Sequence, residues 1–414
     1  MDENGYEDGS NDNHGSTMIE ESKQPEQHLS DDAWNFSFVL GGPLFQLLRR
    51  VHLSDDSFGL LRRRMVIFAL IAWLPLLIFS ILEGNAYNQT LRIPFLLDIE
   101  THARYLLALP LLIYAEYLVN NRIRPIVRQF SERNLVDEPS QLEGPVHSAF
   151  RLRNSIFAEF ILIAIVYSLG VFVRRETALS TSTWYAIVKD GESAWTHTGF
   201  WYAYVTLPIF QFILLRWYYR IFVWGRFLWQ ISRVKLNLMP THPDHVGGLG
   251  FLGNTAFAFS PILTAHGVLL SGMIANRIFY TGAKLVNFKL EIIGMILVLL
   301  VIVLSPLLVF AVQLNRTKRA GLREYGVFAQ RYVRKFDQKW LRSDTDETLL
   351  GSGDIQSLAD LGNSFQVIRE MRLYPFTKET ILQLAIATLI PLLPLVLTMF
   401  SLEQLLDQFL KTVF

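Results

Sequence analysis

The sequence predicts an all-α integral membrane protein, a helical bundle of about seven transmembrane spans with the N-terminus inside. Three observations carry that prediction. Of the 414 residues, 51% are hydrophobic and 18% charged, which is too apolar for soluble domains of this length. The apolar residues gather into runs of about 20, the length that crosses a hydrocarbon core. Lys and Arg are also segregated between the loops on either side of those runs. Cysteine is absent, which removes disulfides, thiolate metal sites and cysteine nucleophiles.

Residues 1–36 are rich in Asp, Glu, Asn, Gly and Ser, and are expected to form a disordered acidic tail without a cleavable signal. Residues 37–64 mix Leu44, Phe45, Leu48 and Val51 with Arg49, Arg50 and the Arg62, Arg63, Arg64 triplet. That pattern predicts a juxtamembrane amphipathic segment lying at the headgroups. A six-span bundle follows over 65–314, with spans at 65–82, 103–119, 155–173, 201–229, 255–278 and 290–314. The fourth is about 44 Å long at 1.5 Å per residue, so it must tilt or emerge along a membrane surface. A basic cytoplasmic loop occupies 315–380, and the seventh span, 381–400, opens the closing segment 381–414. With the N-terminus cytoplasmic, the inner segments hold 26 Lys and Arg and the outer segments 7, which sets the orientation.

In the large inner loop, Leu322, Tyr325, Phe328, Tyr332, Phe336 and Trp340 recur at helical spacing, with Arg323, Arg331, Arg334, Lys335 and Lys339 among them. The expectation is a membrane-surface basic helix whose partner is the lipid bilayer, above all the anionic inner-leaflet lipids. The patch is short and its aromatics favour the interface, so nucleic acid is not expected as a partner. Beyond it, the 351–365 stretch reads as a loop with a helix start capped by Ser352 or Asp354.

Proline lies within six of the seven spans, at Pro75, Pro110, Pro208, Pro261, Pro306 and the pair Pro391 and Pro394. Each frees a backbone carbonyl, and broken-helix transporters hold cations on such groups. The competing explanation is that proline is common in membrane helices.

Ionisable residues inside spans are rare and mark function or bundle register. Counting rise per residue puts Glu116, Glu159 and Arg216 in the inner third of the second, third and fourth spans. Arg220 is one turn beyond Arg216, and His266 is near mid-depth in the fifth span. An intramembrane charge group of Glu116, Glu159, Arg216 and Arg220 is therefore expected, with His266 above it. It would either hold the bundle in register or line a path for an ion or small solute.

The densest run of chemistry is 242–253. His242, Asp244 and His245 are three metal-capable side chains within four residues. The alternative is that Thr241 and Asp244 cap a turn fixed by Pro243. Gly247, Gly248, Gly250 and Gly253 let the backbone bend or approach another closely. No Lys-Ser/Thr follows the glycines, so this is no phosphate-binding loop, and neither HExxH nor GxSxG occurs. No catalytic residue or cofactor is evident.

The stretches THPDHVGGLGFL (241–252) and DIQSLADLGNSF (354–365) together resemble a group of bacterial multi-pass inner-membrane proteins. The likeness extends over spans one to seven. It implies a bacterial inner-membrane location and carries no activity with it. Three functions therefore stand as expectations. The first is a channel or transporter for an ion or small charged solute. The second is a sensor or assembly subunit docking a protein partner through its cytoplasmic loops. The third is a metal-dependent membrane enzyme acting on lipid through His242, Asp244 and His245.

Overall fold

A backbone inside hydrocarbon must satisfy its own hydrogen bonds, so the apolar runs fold as helices. A computed structural model of the chain describes residues 37–50, 59–177, 183–189, 192–343 and 351–399. The acidic tail 1–36 and the end of the chain from 400 lie outside the described residues. In order, the helices are α1 (Pro43–Arg50), α2 (Leu61–Leu82), α3 (99–123), α4 (Ile126–Glu132), α5 (Glu143–Arg153) and α6 (Ile156–Thr177). A short antiparallel hairpin follows, β1 (Ala186–Lys189) and β2 (Glu192–Trp195). Then come α7 (His197–Ile231), α8 (Gly250–Thr281), α9 (Leu285–Trp340), α10 (Gly353–Glu370) and α11 (Lys378–Met399).

Five of these, α2, α7, α8, α9 and α11, are long and apolar enough to cross a membrane. The apolar stretch in α6, Ile156–Ser168, is shorter. Helix α3 carries Glu100, Arg104, Glu116 and Arg122 and is the central strut of the bundle, packed between α2 and α8. Its Tyr105, Ala108, Leu109, Leu112 and Ala115 are fully buried. Helix α8 is the most enclosed of the five, and it meets α11 so closely at Gly267 that a Cβ there would lie 2.1 Å from the Thr388 carbonyl oxygen. By contrast α2, α9 and α11 turn apolar side chains outward, among them Leu82, Leu290, Val301 and Leu393. Such a surface is suited to acyl chains and unsuited to water.

Three sequence expectations change. Residues 37–45 turn apolar side chains into the bundle and not outward, with Phe38, Val39 and Phe45 buried. Arg64 belongs to α2 and is buried as well. The predicted sixth span and surface helix are one helical run of 56 residues, α9, with a 3-10 turn at Ser305–Phe310 around Pro306. At 1.5 Å per residue it is about 84 Å long.

Helix α10 packs back along the far part of α9. Ser352 caps it, accepting a hydrogen bond from the Asp354 N–H at 3.1 Å. Asp354 Oδ2 accepts from Lys339 Nζ at 2.9 Å and from Trp340 Nε1 at 3.1 Å, and Tyr332 donates to the Asp354 carbonyl. Lys339 is thus drawn into a helical hairpin, while Arg323, Arg331, Arg334 and Lys335 remain exposed.

Candidate functional site

Two polar sites lie inside the bundle at different depths. The first joins four of the five residues expected to form a charged group and adds two more. Glu116 of α3 faces Arg64 of α2, in direct contact, and Arg220 of α7 at 2.8 Å. Arg216 lies between the carboxylates, 3.8 Å from Glu116 and 3.5 Å from Glu159. Arg153, at the end of α5, donates to the Ser37 carbonyl.

Among the described residues four guanidinium groups meet here with two carboxylates, and backbone carbonyls of the 37–42 segment accept from three of the four. Arg220 donates to Val39 O at 3.3 Å and Arg216 to Gly41 O at 3.4 Å. Glu159 in turn accepts from the Leu44 N–H at 3.1 Å, and Asn154 accepts from Gly42 N–H at 3.0 Å. A buried charge needs such pairing to be tolerated. The space left beside Glu116 is about 20 Å³, room for one water.

His266 does not join this group. Its Nε2 meets the Tyr218 hydroxyl at 2.5 Å and its Nδ1 meets the Ile262 carbonyl at 2.7 Å. Rise per residue gives depth, but which way a side chain points depends on packing, and Tyr218 lies on the side His266 faces.

The second site was not anticipated. At the end of the bundle that carries the β hairpin, a chamber of about 440 Å³ opens between α3, α7 and α8. Arg104, Asp98, Tyr185, Tyr202, Gln211 and Asn276 are among its walls. Two of the three helices widen here into π turns, Ala103–Ala108 in α3 and Tyr202–Thr206 in α7. Each widened turn runs into a Leu-Pro pair, at Pro110 and Pro208, whose rings cannot supply an N–H to the ordinary α ladder. Single π turns in α helices occur frequently at functional sites.

The π turns point at each other. Arg104 Nη1 donates to the Tyr202 hydroxyl at 2.5 Å, while Nη2 contacts Glu100. Asp98 organises the rim. Its oxygens accept from Trp184 Nε1 at 2.8 Å, Asn276 Nδ2 at 2.8 Å and the Thr101 hydroxyl at 2.6 Å. Gln211 Oε1, buried in the wall, has no hydrogen-bond partner among the described residues. Between chamber and ion-pair cluster, Tyr105, Leu109, Leu112, Phe210 and Trp217 are buried and close the bundle. Glu116 is twelve residues beyond Arg104 on α3, about 18 Å deeper. A sequence signal for the chamber existed: Arg104 and Tyr202 each precede a proline by six residues, at the mouth of an apolar run.

The 242–253 loop is built around Asp244. Oδ1 accepts from the N–H groups of Val246 at 2.8 Å and Gly248 at 3.1 Å, and Oδ2 accepts from Gly250 at 2.8 Å. Burial alone would raise the carboxyl's pKa, but these three donors and the neighbouring His242 outweigh it and hold Asp244 below the ordinary carboxylate range. The turn needs left-handed backbone at Gly247 (φ 68°) and Gly248 (φ 98°), which explains those glycines. Arg372 straps the loop to the approach of α11, donating to Asp244 O at 2.9 Å and, through its own N–H, to His245 O at 2.7 Å. The metal set expected of His242, Asp244 and His245 is not assembled. Asp244 spends its oxygens on backbone, and among the described residues no three His, Asp or Glu side chains group to hold an ion.

No protein-family model matches this chain, and no curated protein or solved structure matches it either. What stands is a candidate multi-pass membrane protein, by the length and hydropathy of its helices.

Proposed function

We propose that the chain is a multi-pass protein of the bacterial inner membrane that admits a small anionic solute into the hairpin-end chamber from outside. The lysine and arginine distribution supports seven spans with the N-terminus inside, counting α3 and α6 with the five long helices. That orientation puts the chamber on the outer side and the Glu116 cluster on the inner side.

The single observation that carries the reading is the chamber itself, walled by two π-widened helices above a closed ion-pair seal. Arg92, Arg104 and Arg277 line it against Asp98 and Glu100, and Asp98 is already saturated with donors, so the balance favours an anionic group. In this reading the charge cluster is the inner seal of a transport route, and passage requires Glu116 to part from Arg64 and Arg220.

Small carboxylates, amino acids and phosphate esters screened by thermal shift against wild type and Arg104→Gln test the chamber. A solute at 100 times its Kd is expected to stabilise wild type by about 2.7 kcal/mol and to leave the variant unmoved. A solute that stabilises both equally removes the chamber from the reading, as does a screen with no hit. Flux of the hit into proteoliposomes then separates transport from sensing.

A second reading rests on the α9–α10 hairpin, where Phe328, 57% exposed, lies beside exposed Arg331 and Arg334. Photo-crosslinking from position 328 in native membranes distinguishes a docked protein from lipid labelling.

A further inference from the structure

Where α7 ends and α9 passes it, at the end of the bundle away from the hairpin, the chain leaves a groove of about 620 Å³. Gln313 of α9 donates from Nε2 to the carbonyls of both Ser232 and Val234, at 2.8 and 2.7 Å. Those two bonds hold the turn after α7 against α9, so that Arg233 and Lys235 line the same groove as Arg316. Three cations face this space and no carboxylate does. All three are exposed, and none forms an ion pair among the described residues. Arg233 lies over the Trp229 ring at 5.1 Å, and Trp229 is itself 44% exposed. Beside the groove Val312 (61% exposed) and Leu308 (47%) continue an apolar strip along α9.

We propose that this groove binds the phosphate group of an anionic phospholipid, with the acyl chains on the Leu308 and Val312 strip. Guanidinium forks match phosphate oxygens in pairs, and the ammonium of Lys235 adds a mobile third charge. Tryptophan with its polar edge wet and its ring buried belongs at headgroup level. Basic pockets between membrane helices hold anionic headgroups in this way. A soluble phosphate would use the cations but leave the apolar strip without a purpose.

The test uses the full chain in neutral detergent, with lipid retention read by native mass spectrometry. Wild type is expected to retain phosphatidylglycerol in preference to phosphatidylethanolamine. Each cation near an anionic headgroup contributes roughly fivefold, so Arg233→Gln/Lys235→Gln/Arg316→Gln is expected to weaken retention about a hundredfold. Arg331→Gln/Arg334→Gln/Lys335→Gln, on the exposed part of α9, is expected to retain the lipid as wild type does. Equal retention of both lipids, or undiminished retention by the groove variant, would overturn the site. Displacement of the lipid by glycerol phosphate at matched concentration would overturn the lipid in favour of a soluble phosphate ligand. Should the triple variant fail to unfold cooperatively on heating, Arg316→Gln alone serves, with about a fivefold loss expected and no loss counting against the groove.

Discussion

At the scale of single residues, Glu116 carries the largest electrostatic responsibility in the bundle. Its carboxylate serves Arg64, Arg220 and, at 3.8 Å, Arg216. Glu116→Gln removes the carboxylate that Arg64, Arg216 and Arg220 share, and breaking a buried pair from one side costs about 3–5 kcal/mol. Arg64→Met removes one of the cations around Glu116 while Glu116 keeps Arg220 at 2.8 Å, so it is expected to cost less. Thermal unfolding in detergent orders the two, and a milder Glu116→Gln would contradict the assignment of Glu116 as the hub. Glu116, Glu159, Arg216 and Arg220 were legible in the sequence because charge inside an apolar run has few bland explanations. Arg64 and Arg153 were not, since arginine at the edge of a run is equally at home among headgroups. The loop aspartate was legible as a cap, while its three glycine-rich donors needed the fold of the turn.

Among the elements, the five long helices and the start of α10 at Ser352 could be read from hydropathy and capping. The two π turns could not, because a single widened turn leaves the apolar pattern unchanged on either side. Pro110 and Pro208 drew attention as sources of free carbonyls, whereas the helices absorb them by widening. Nor could the fusion of sixth span and basic helix into α9 be foreseen, since residues 315–321, which join them, are polar or small and carry no apolar face. Helix contacts give a test at this scale. Gly267→Ala drives a methyl against the Thr388 carbonyl and is expected to destabilise the protein by about 1–3 kcal/mol. Gly294→Ala in α9 meets nothing within 4 Å and is expected to be neutral or to stabilise by up to about 1 kcal/mol. Unfolding midpoints of the two variants measure the difference, and equal midpoints would deny the close α8–α11 approach.

Across the whole molecule, the polar sites are stacked along the bundle, a chamber at the hairpin end and an ion-pair cluster beneath an apolar plug. The segment 37–45 covers that cluster through hydrogen bonds to Arg153, Asn154, Glu159, Arg216 and Arg220. A chain lacking residues 1–45 is expected to assemble its helices with a lowered unfolding temperature, and a synthetic peptide of residues 37–45 to restore part of the loss. No recovery at peptide concentrations well above a millimolar would mean that the segment contributes through its tether alone.

That segment also sets an order of assembly. Gly41 and Val39 meet Arg216 and Arg220 across 175 and 181 residues of chain. At about 5–20 residues per second, the ribosome supplies those arginines some ten to forty seconds after the segment itself. Until then two of the groups that hold the segment are missing, so its docking is complete only after Arg216 and Arg220 have been made. Its full seating therefore follows the fourth predicted span, whereas Asn154 and Glu159, which accept from Gly42 and Leu44, are on hand earlier.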